Sequence, residues 1–500
     1  MSIFSASGKP NILFMIADDL GQDLVQESGV GSTRILEVVT CDENGVEIRG
    51  RLDNISLFFR NGLAFKQAWA HPACSPTRAS IYTGVHPWKH GVGSPGGNPE
   101  LPDATSLITL PEMLPTDYAC GLFGKWHLGE RAGAYPTDHG WDRHIGTLAG
   151  RLPNGYDNWE LQDSDIGYDD PALQTDHATW VTVREAASWI NGLQEDTPWF
   201  ATIAFHAPHE PFHIPLDPIS GSGIGFNPNT PGDVNSNTYK FNVMTQNMDY
   251  HIGRLIGRVS GGFEGRFDFD PISSAQLANT VIIFIGDNGS PSGIAKQEPK
   301  GRIYEGGIRV PMIVADGRAI LKDFRNPFDF GSDISPLHLA PNKLNTSSRQ
   351  LVHVVDLYKT IVRLTDPSAS DFPSNIDSQD LSPLFKRPGS QPPVRRYNFS
   401  QFYNNNQKIA TIRNLDYKLN YLDPNYSLYK YDGNQIPGIE DNPDDPTDDP
   451  DDPADLATDL FDVAISGEDT KANQNLNELL NELISNYRID QTAEPFPDPR

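Results

Sequence analysis

Four continuous apolar runs dominate the hydrophobic pattern of the chain. They lie at 11–17 (NILFMIA), 199–205 (WFATIAF), 281–285 (VIIFI) and 310–315 (VPMIVA). Runs of this length are typical of strands in a parallel sheet that is buried on both faces. The first run ends in Asp18 and Asp19, the second in His206, and the third is followed by Asp287 and Asn288. The pattern therefore predicts central strands with polar side chains at their carboxyl ends.

Amphipathic stretches separate these runs. Apolar residues recur at helical spacing over Thr175–Leu193 and Thr238–Val259, which predicts a helix at each. Strands that alternate with helices indicate an α/β fold, a large and mostly parallel sheet flanked by helices. Ligands of such folds bind beyond the carboxyl ends of the strands, which is where the polar residues fall.

The composition changes after a predicted helix at 351–364. Residues 366–393 are rich in Pro, Ser and Asp and indicate a linker. Short strands are expected in 396–422 and a terminal helix at 475–487. We therefore predict two domains, a catalytic α/β domain over 1–385 and a smaller α+β domain with antiparallel strands over 386–500.

Charge excludes one class of partner. The chain has 39 basic and 66 acidic residues, a net charge of −27, and such a surface repels nucleic acid. The Pro/Asp tract at 440–455 is expected to be a solvated loop. No apolar run approaches the roughly 20 residues of a membrane span, so no membrane partner is expected. The sequence carries no signal for the oligomeric state.

The cysteines and the N-terminus bear on the compartment. Three cysteines, Cys41, Cys74 and Cys120, are too few for a disulfide framework. Residues 1–9 are too short and too polar for a secretory signal. The sequence therefore predicts a cytoplasmic protein, or a periplasmic or secreted one if a leader was removed.

The segment around Cys74 carries the strongest chemical signal. It reads CSPTRASIYTG from Cys74, with Arg78 four residues on and a helix start predicted at the cysteine. Both features favour an anionic group there. A small buried hydrophobic residue is the structural alternative, and a thiolate nucleophile is the chemical one. The surrounding carboxylates fit a metal site better than a cysteine hydrolase.

This segment resembles the signature of the formylglycine-dependent sulfatases, in which the cysteine of Cys-x-Pro-x-Arg is oxidised to formylglycine by a generating enzyme. The second signature of that family resembles residues 124–129, GKWHLG. Two such motifs in order, about fifty residues apart, are a specific match. The resemblance implies an alkaline-phosphatase-like fold and hydrolysis of sulfate esters, with a small-molecule or sugar sulfate as substrate.

The resemblance also implies the residues of the site. The metal ligands would be Asp18, Asp19, Asp287 and Asn288, together with the converted Cys74. Three carboxylates and an amide oxygen suit a hard divalent cation, Ca²⁺ by family resemblance or else Mg²⁺. For Asp18 and Asp19 alone, a turn or helix cap would be the default interpretation.

Basic residues complete the implied site. His206 begins HAPH, whose first histidine contacts sulfate in the family, and Lys300 precedes the motif YEGG at 304–307. Lys125 and His127 belong to the second signature, while His209 is a candidate at the substrate rim. The structural alternatives are a core histidine at His206 and a solvated lysine with a capping histidine in the second signature. His71, His86 and His90 are expected to be structural.

The resemblance implies a mechanism as well. One hydroxyl of the hydrated formylglycine attacks sulfur while Asp287 assists its deprotonation, and His206 and Lys300 help the leaving group depart. His127 then takes the second hydroxyl proton, which releases sulfate. Arg78 and Lys125 would hold the formylglycine oxygens.

Two departures from the family pattern limit the transfer of substrate. Gln22 and Asp23 replace the usual Tyr-Gly-Asp, and Thr77 stands where serine is common. A phosphodiesterase or phosphonate monoester hydrolase is the second hypothesis, because the same cation cage suits any tetrahedral anion. A calcium-dependent binding protein without activity is the third. Turnover of aryl sulfates against aryl phosphodiesters would separate the first two.

Overall fold

A computed structural model defines the fold. It describes residues 9–29, 34–96, 99–102, 107–215, 232–258, 269–296, 298–324, 338–386, 392–404, 407–422, 425–430, 474 and 478–482. The predicted loop at 440–455 lies outside these residues.

A large sheet forms the centre of the described chain. Its ten strands are β1 (Asn11–Ala17), β5 (Gly62–Phe65), β7 (Ala119–Lys125), β8 (Arg143–Thr147), β9 (Trp159–Asp163), β10 (Gly167–Gln174), β11 (Trp199–Ala204), β12 (Thr280–Gly286), β13 (Met312–Asp316) and β14 (Thr346–Ser348). They are ordered β10-β9-β8-β7-β11-β1-β12-β13-β5-β14. Five neighbouring strands of this order run parallel, namely β8, β7, β11, β1 and β12. The predicted fold class is confirmed.

The apolar runs become strands as predicted, with one difference in direction. Strand β1 lies between β11 and β12, and all three are buried along their whole length. The run at 310–315 forms β13, which pairs antiparallel with β12. The segment between them stays at the carboxyl end of the sheet and never crosses it, so the chain must return in the opposite direction.

Helices cover both faces of the sheet. They are α1 (Asp53–Arg60), α2 (Cys74–Thr83), α3 (Pro87–His90), α4 (Leu110–Met113), α5 (Ala178–Gly192), α6 (Asn237–Leu255), α7 (Ser274–Ala278), α8 (Glu305–Ile308), α9 (Gly317–Phe324), α10 (Asp356–Thr365) and α11 (Ser382–Lys386). Alternate residues of β1 face opposite cores: Leu13 and Met15 pack with α1, α5 and α6, whereas Ile12 and Phe14 pack with α2 and α10. The predicted helices at 175–193 and 238–259 are present with shorter bounds, and that at 351–364 begins only at Asp356.

Smaller sheets complete the described fold. Strands β2 (Val25–Ser28), β3 (Ile35–Cys41) and β4 (Glu47–Leu52) form one, and β6 (Ala68–Trp69) pairs with β15 (Val352–His353). The C-terminal sheet is antiparallel and contains β16 (Asn398–Tyr403), β17 (Lys408–Arg413), β18 (Tyr417–Leu422) and β19 (Asn425–Lys430). Of the predicted terminal helix, residues 478–482 are helical. None of the described helices combines the length and hydropathy of a membrane-crossing segment.

Candidate active site

Two consecutive carboxylates at the end of β1 reach the same point. Neighbouring side chains of an extended strand point to opposite faces. Asp19, however, adopts a left-handed backbone with φ of 65°. Aspartate is one of the few residues besides glycine that tolerates this conformation. Because of this turn, the carboxylates of Asp18 and Asp19 lie within 4.8 Å of each other.

The end of β12 adds a third carboxylate and an amide. Asp287 accepts a hydrogen bond from the backbone of Asp19 at 3.1 Å. Asn288 Nδ2 donates to Asp19 Oδ1 at 2.8 Å, and Asn288 Oδ1 is buried without a hydrogen-bond partner. A buried amide oxygen that receives no hydrogen bond is oriented to bind a cation. The donor set therefore fits a hard divalent ion.

Cys74 lies beside these carboxylates. It is the first residue of α2, is 4% exposed, and its thiol donates to Asp18 Oδ1 at 3.3 Å. One ligand atom each from Asp18, Asp19, Cys74 and Asp287 fall within 4.8 Å of one another. The side chain at position 74 is thus placed to contact an ion held by the carboxylates.

Each of the three carboxylates forms an ion pair with a different basic side chain. The pairs are Arg78 with Asp287, Lys125 with Asp18 and Lys300 with Asp19, with N–O distances of 2.8, 2.5 and 2.5 Å. Arg78 and Lys125 are fully buried, whereas the Lys300 side chain is 30% exposed. Since the three charges of each sign balance, a bound divalent ion would leave an excess of two positive charges. Such a site attracts an anion.

Burial and the ion pairs set the protonation states. Burial raises the pKa of Asp18, but Lys125 and the other cations outweigh it and hold that pKa well below its usual range. Burial and the charge of Asp18 raise the pKa of Asp287 to about 6. The same two causes raise the pKa of the Cys74 thiol well above its ordinary value. An unmodified thiol in this position stays protonated at neutral pH.

His206 is fixed in one tautomer by a residue that the sequence did not single out. Its Nε2 lies 2.8 Å from Thr147 Oγ1, and that hydroxyl donates its own proton to the Ala149 carbonyl at 3.0 Å. The hydroxyl must therefore accept from His206, which leaves His206 Nδ1 buried, unprotonated and without a partner. Burial, and then Lys125, lower the pKa of His206 well below its usual value.

His127 is held against a glycine. It has a left-handed φ of 62°, and its Nδ1 is buried without a hydrogen-bond partner. A Cβ at Gly150 would lie 2.2 Å from His127 Nε2, so a larger residue there would displace the imidazole. Burial, and then Lys125, lower the pKa of His127 well below its usual value. The ring is neutral and able to accept a proton.

His209 lies at the edge of the cluster, with Nε2 3.7 Å from Asp19 Oδ2. Tyr156 supports it by donating a hydrogen bond to the His209 carbonyl at 2.7 Å. The structure thus brings the predicted site positions together at the carboxyl ends of β1, β7, β11 and β12, while their individual roles stay predictions. Thr147 and Tyr156 are not predictable from the sequence, since a lone hydroxyl carries no motif.

Three other histidines form a second buried cluster, with ligand atoms of His71, His86 and His353 within 4.8 Å. Backbone N–H groups donate to Nδ1 of His71 at 3.2 Å and to Nδ1 of His353 at 3.1 Å. Both rings therefore carry their proton on Nε2. An imidazole that binds a metal through Nε2 carries no proton there and donates a hydrogen bond from Nδ1. The cluster is unsuited to a metal.

Comparison with known proteins agrees with this fold. The large parallel sheet with acidic and basic residues at its carboxyl edge defines an alkaline-phosphatase-like hydrolase. A sequence model of the sulfatase family matches residues 10–367. The chain belongs to the sulfatase family.

Similar curated proteins carry sulfatase names. An N-acetylgalactosamine-6-sulfatase of Sus scrofa is 25% identical over 421 residues, which cover 77% of this chain and 67% of the relative. Arylsulfatase A of Bos taurus is 24% identical over 460 residues, which cover 84% of this chain and 76% of the relative.

Solved structures agree on the fold. The match to the structure of Ps i-CgsB covers 97% of this chain and 94% of that chain, with a TM-score of 0.62 and 21% identity. BT4656, solved in complex with its substrate D-glucosamine-2-N,6-O-disulfate, covers 97% and 100%, with a TM-score of 0.62 and 15% identity.

Proposed function

We propose that the chain hydrolyses sulfate monoesters through a formylglycine made from Cys74, with Ca²⁺, or alternatively Mg²⁺, as cofactor. One observation carries this proposal: a protonated thiol lies within 4.8 Å of the carboxylates of Asp18, Asp19 and Asp287. A soft sulfur ligand is a poor partner for the hard cation that these oxygens suit. Formylglycine would place oxygen at the same point and would supply the nucleophile that the thiol cannot.

The ion, when bound, would hold a sulfate oxygen and add positive charge next to the reacting sulfur. Residues of the chain would move the protons. Asp287, with a pKa of about 6, can accept a proton from the nucleophilic hydroxyl. Burial lowers the pKa of Lys300, but Asp19 outweighs it and raises that pKa, so Lys300 stays positively charged and can stabilise the negative charge on the departing oxygen. The unpartnered Nδ1 of His127 can take the second hydroxyl proton.

The relatives guide the choice of substrate. Their names include both a sugar sulfatase and an arylsulfatase. The exposed part of the Lys300 side chain and the edge position of His209 support access of an ester from outside the sheet edge. We propose a sulfate monoester of a sugar or small aryl alcohol as the substrate class.

The test begins with the tryptic peptide 67–78 from protein produced together with a formylglycine-generating enzyme. Conversion of the cysteine lowers the peptide mass by about 18 units. We expect this loss, together with turnover of an aryl sulfate and of N-acetylgalactosamine 6-sulfate in preference to an aryl phosphodiester. A Cys74→Ala variant should lose all turnover, whereas Cys120→Ala, at a buried thiol away from the site, should retain it. A peptide that stays a thiol in an active hydrolase would overturn the formylglycine proposal.

A further inference from the structure

The C-terminal sheet contacts the active-site segments directly. Lys418 of β18 is 5% exposed, and its Nζ lies 3.1 Å from Glu305 Oε1. Trp69 Nε1 donates to Glu305 Oε2 at 3.1 Å, and Lys418 Nζ also lies 5.0 Å from the centre of the Trp69 ring. Both oxygens of one buried carboxylate are therefore occupied, one of them by a lysine of the C-terminal sheet.

Glu305 begins a short turn that supports the ion site. Gly289, directly after Asn288, donates from its backbone to the Gly307 carbonyl at 2.9 Å. A Cβ at Gly289 would lie 1.8 Å from the Gly306 carbonyl oxygen, so the two backbones are in close contact. Any shift of Glu305 would thus move the loop that carries Asn288.

The same turn follows Lys300 closely in the chain. Ile303, between Lys300 and Glu305, is fully buried in a cluster with Phe402 and Ile409 of the C-terminal sheet. Ala73, the residue before Cys74, belongs to that cluster. The C-terminal sheet therefore packs on residues that lie close in the chain to two active-site positions, Cys74 and Lys300.

The charges of this contact are strongly coupled. Burial raises the pKa of Glu305, but Lys418, followed by Arg413 and Arg309, outweighs it and lowers that pKa to about 2. A buried carboxylate that loses its partner must be neutralised or must move toward water. Removal of the lysine charge would therefore displace the turn and, with it, the neighbouring Lys300.

We propose that Lys418 and Glu305 form a positioning pair through which the C-terminal sheet sets the placement of Lys300 and of the Asp287–Asn288 loop. The inference rests on the proposed function for the role of Lys300. Neither Lys418 nor Glu305 contacts the carboxylate cluster in the part of the chain that the structure describes, so both act through the turn at 304–307.

The kinetic test uses a double-mutant cycle. Lys418→Met, which keeps the length of the side chain, should lower kcat/KM on an aryl sulfate by about 10- to 100-fold, as expected for a misplaced active-site group. In a Lys300→Ala background the same change should have almost no further effect, because the ammonium group that Lys418 positions is absent. Lys418→Arg should recover part of the activity, and Lys408→Met on the neighbouring strand is the matched control. Additive losses, or wild-type kinetics for Lys418→Met, would overturn the inference.

A second readout separates this inference from the proposed function. Ca²⁺ should raise the melting temperature of the wild-type chain, and the Ca²⁺ concentration at half effect should increase in Lys418→Met, since the loop of Asn288 moves. Should Lys418→Met fail to fold, the Glu305→Gln/Lys418→Met variant leaves no unpaired charge and takes its place. An inactive wild type with an unchanged Ca²⁺ midpoint in the variant would refute both proposals, whereas an inactive wild type with a shifted midpoint would refute only the proposed function.

Discussion

Ser290 connects three loops of the active site through one side chain and its carbonyl. Its hydroxyl accepts from the Gly21 backbone at 3.1 Å and donates to Asp23 at 2.9 Å. Its carbonyl accepts from the Lys300 backbone at 2.8 Å. The loops after β1 and β12 and the lysine segment are therefore coupled at this residue.

Replacement of Ser290 by alanine should weaken this connection. The Gly21 N–H and the partly buried Asp23 carboxylate would each lose a partner, at a cost of about 1–3 kcal/mol of unfolding free energy. We also expect a higher Ca²⁺ concentration for half-maximal activity. Urea unfolding and a Ca²⁺ titration measure the two effects, with Ser370→Ala at an exposed serine as control. A Ser290→Ala variant as stable as the control would contradict this role.

At the scale of single residues, the sequence predicted the charged groups of the site and missed the groups that orient them. Asp18 and Asp287 were predictable because each follows a continuous apolar strand. Thr147 and Ser290 were not, since a hydroxyl acts through hydrogen bonds whose partners are distant in the chain. Asp23, noted only as a departure from the family pattern, proves to bind Ser290 and the Lys296 backbone.

The arrangement of strands explains how His206 is oriented. Strand β8 ends at Thr147, next to β7, and β7 pairs with β11, which precedes His206. The parallel order of these strands brings the hydroxyl to Nε2 of the imidazole. The tautomer is thus set by the sheet itself.

A Thr147→Val variant tests this orientation, because valine keeps the shape of threonine and removes the hydroxyl. His206 would lose its acceptor, so we expect kcat/KM on a sulfate ester to fall by about 10- to 100-fold. Nitrogen NMR of the imidazole should show loss of the fixed tautomer, a readout that a loss of stability alone would not give. Thr147→Ser retains the hydroxyl and should remain close to wild type. Equal activity of Val and Ser variants would exclude the orienting role.

The pattern of apolar runs predicted which elements exist but not all of their directions. A continuous apolar run marks a buried strand and is the same for either direction. The antiparallel course of β13 depends on residues 287–311, which remain at the carboxyl edge and carry Lys300 and α8. The segment that would otherwise cross the sheet thus carries residues of the proposed active site.

The whole molecule holds many neutral histidines in its interior. Burial lowers the pKa of His90 to about 3, that of His177 to about 3 and that of His144 to about 4. In the unfolded chain a histidine has a pKa of about 6.5. Between that value and the folded pKa, the unfolded state binds more protons, so stability falls as the pH falls.

We therefore expect the melting temperature to decrease steadily from pH 7 toward pH 4.5. Asp249, whose pKa burial raises to about 7, and Asp287, with a pKa of about 6, oppose this trend but are fewer than the buried histidines. His90→Gln keeps hydrogen-bonding capacity and should flatten the decrease, whereas the wild type should show the full slope. Calorimetry across this range is the measurement, and a melting temperature that rises on acidification would show that the carboxylates dominate instead.

The C-terminal region makes contacts that its amino-acid composition does not predict. A shift toward Pro, Ser and Asp predicted a linker and a separate small domain, and the boundary at 385 stays a prediction. Strand β16 nevertheless donates side-chain hydrogen bonds to the catalytic part, from Asn398 to Gln67 and Val352 and from Ser400 to Ala70. Local composition cannot report such contacts, because they join residues more than 40 positions apart.

The burial of Cys74 has a consequence for how the protein is made. Strand β1 has no partner β12 until the ribosome has passed residue 286, and translation from Cys74 to that point takes roughly 10–40 s at about 5–20 residues per second. During that interval the segment around Cys74 is accessible, and afterwards the thiol is 4% exposed. Under the proposed function, oxidation of Cys74 therefore competes with folding. Slower translation should increase the share of active molecules, and rapid overproduction should yield well-folded protein that contains the unmodified cysteine.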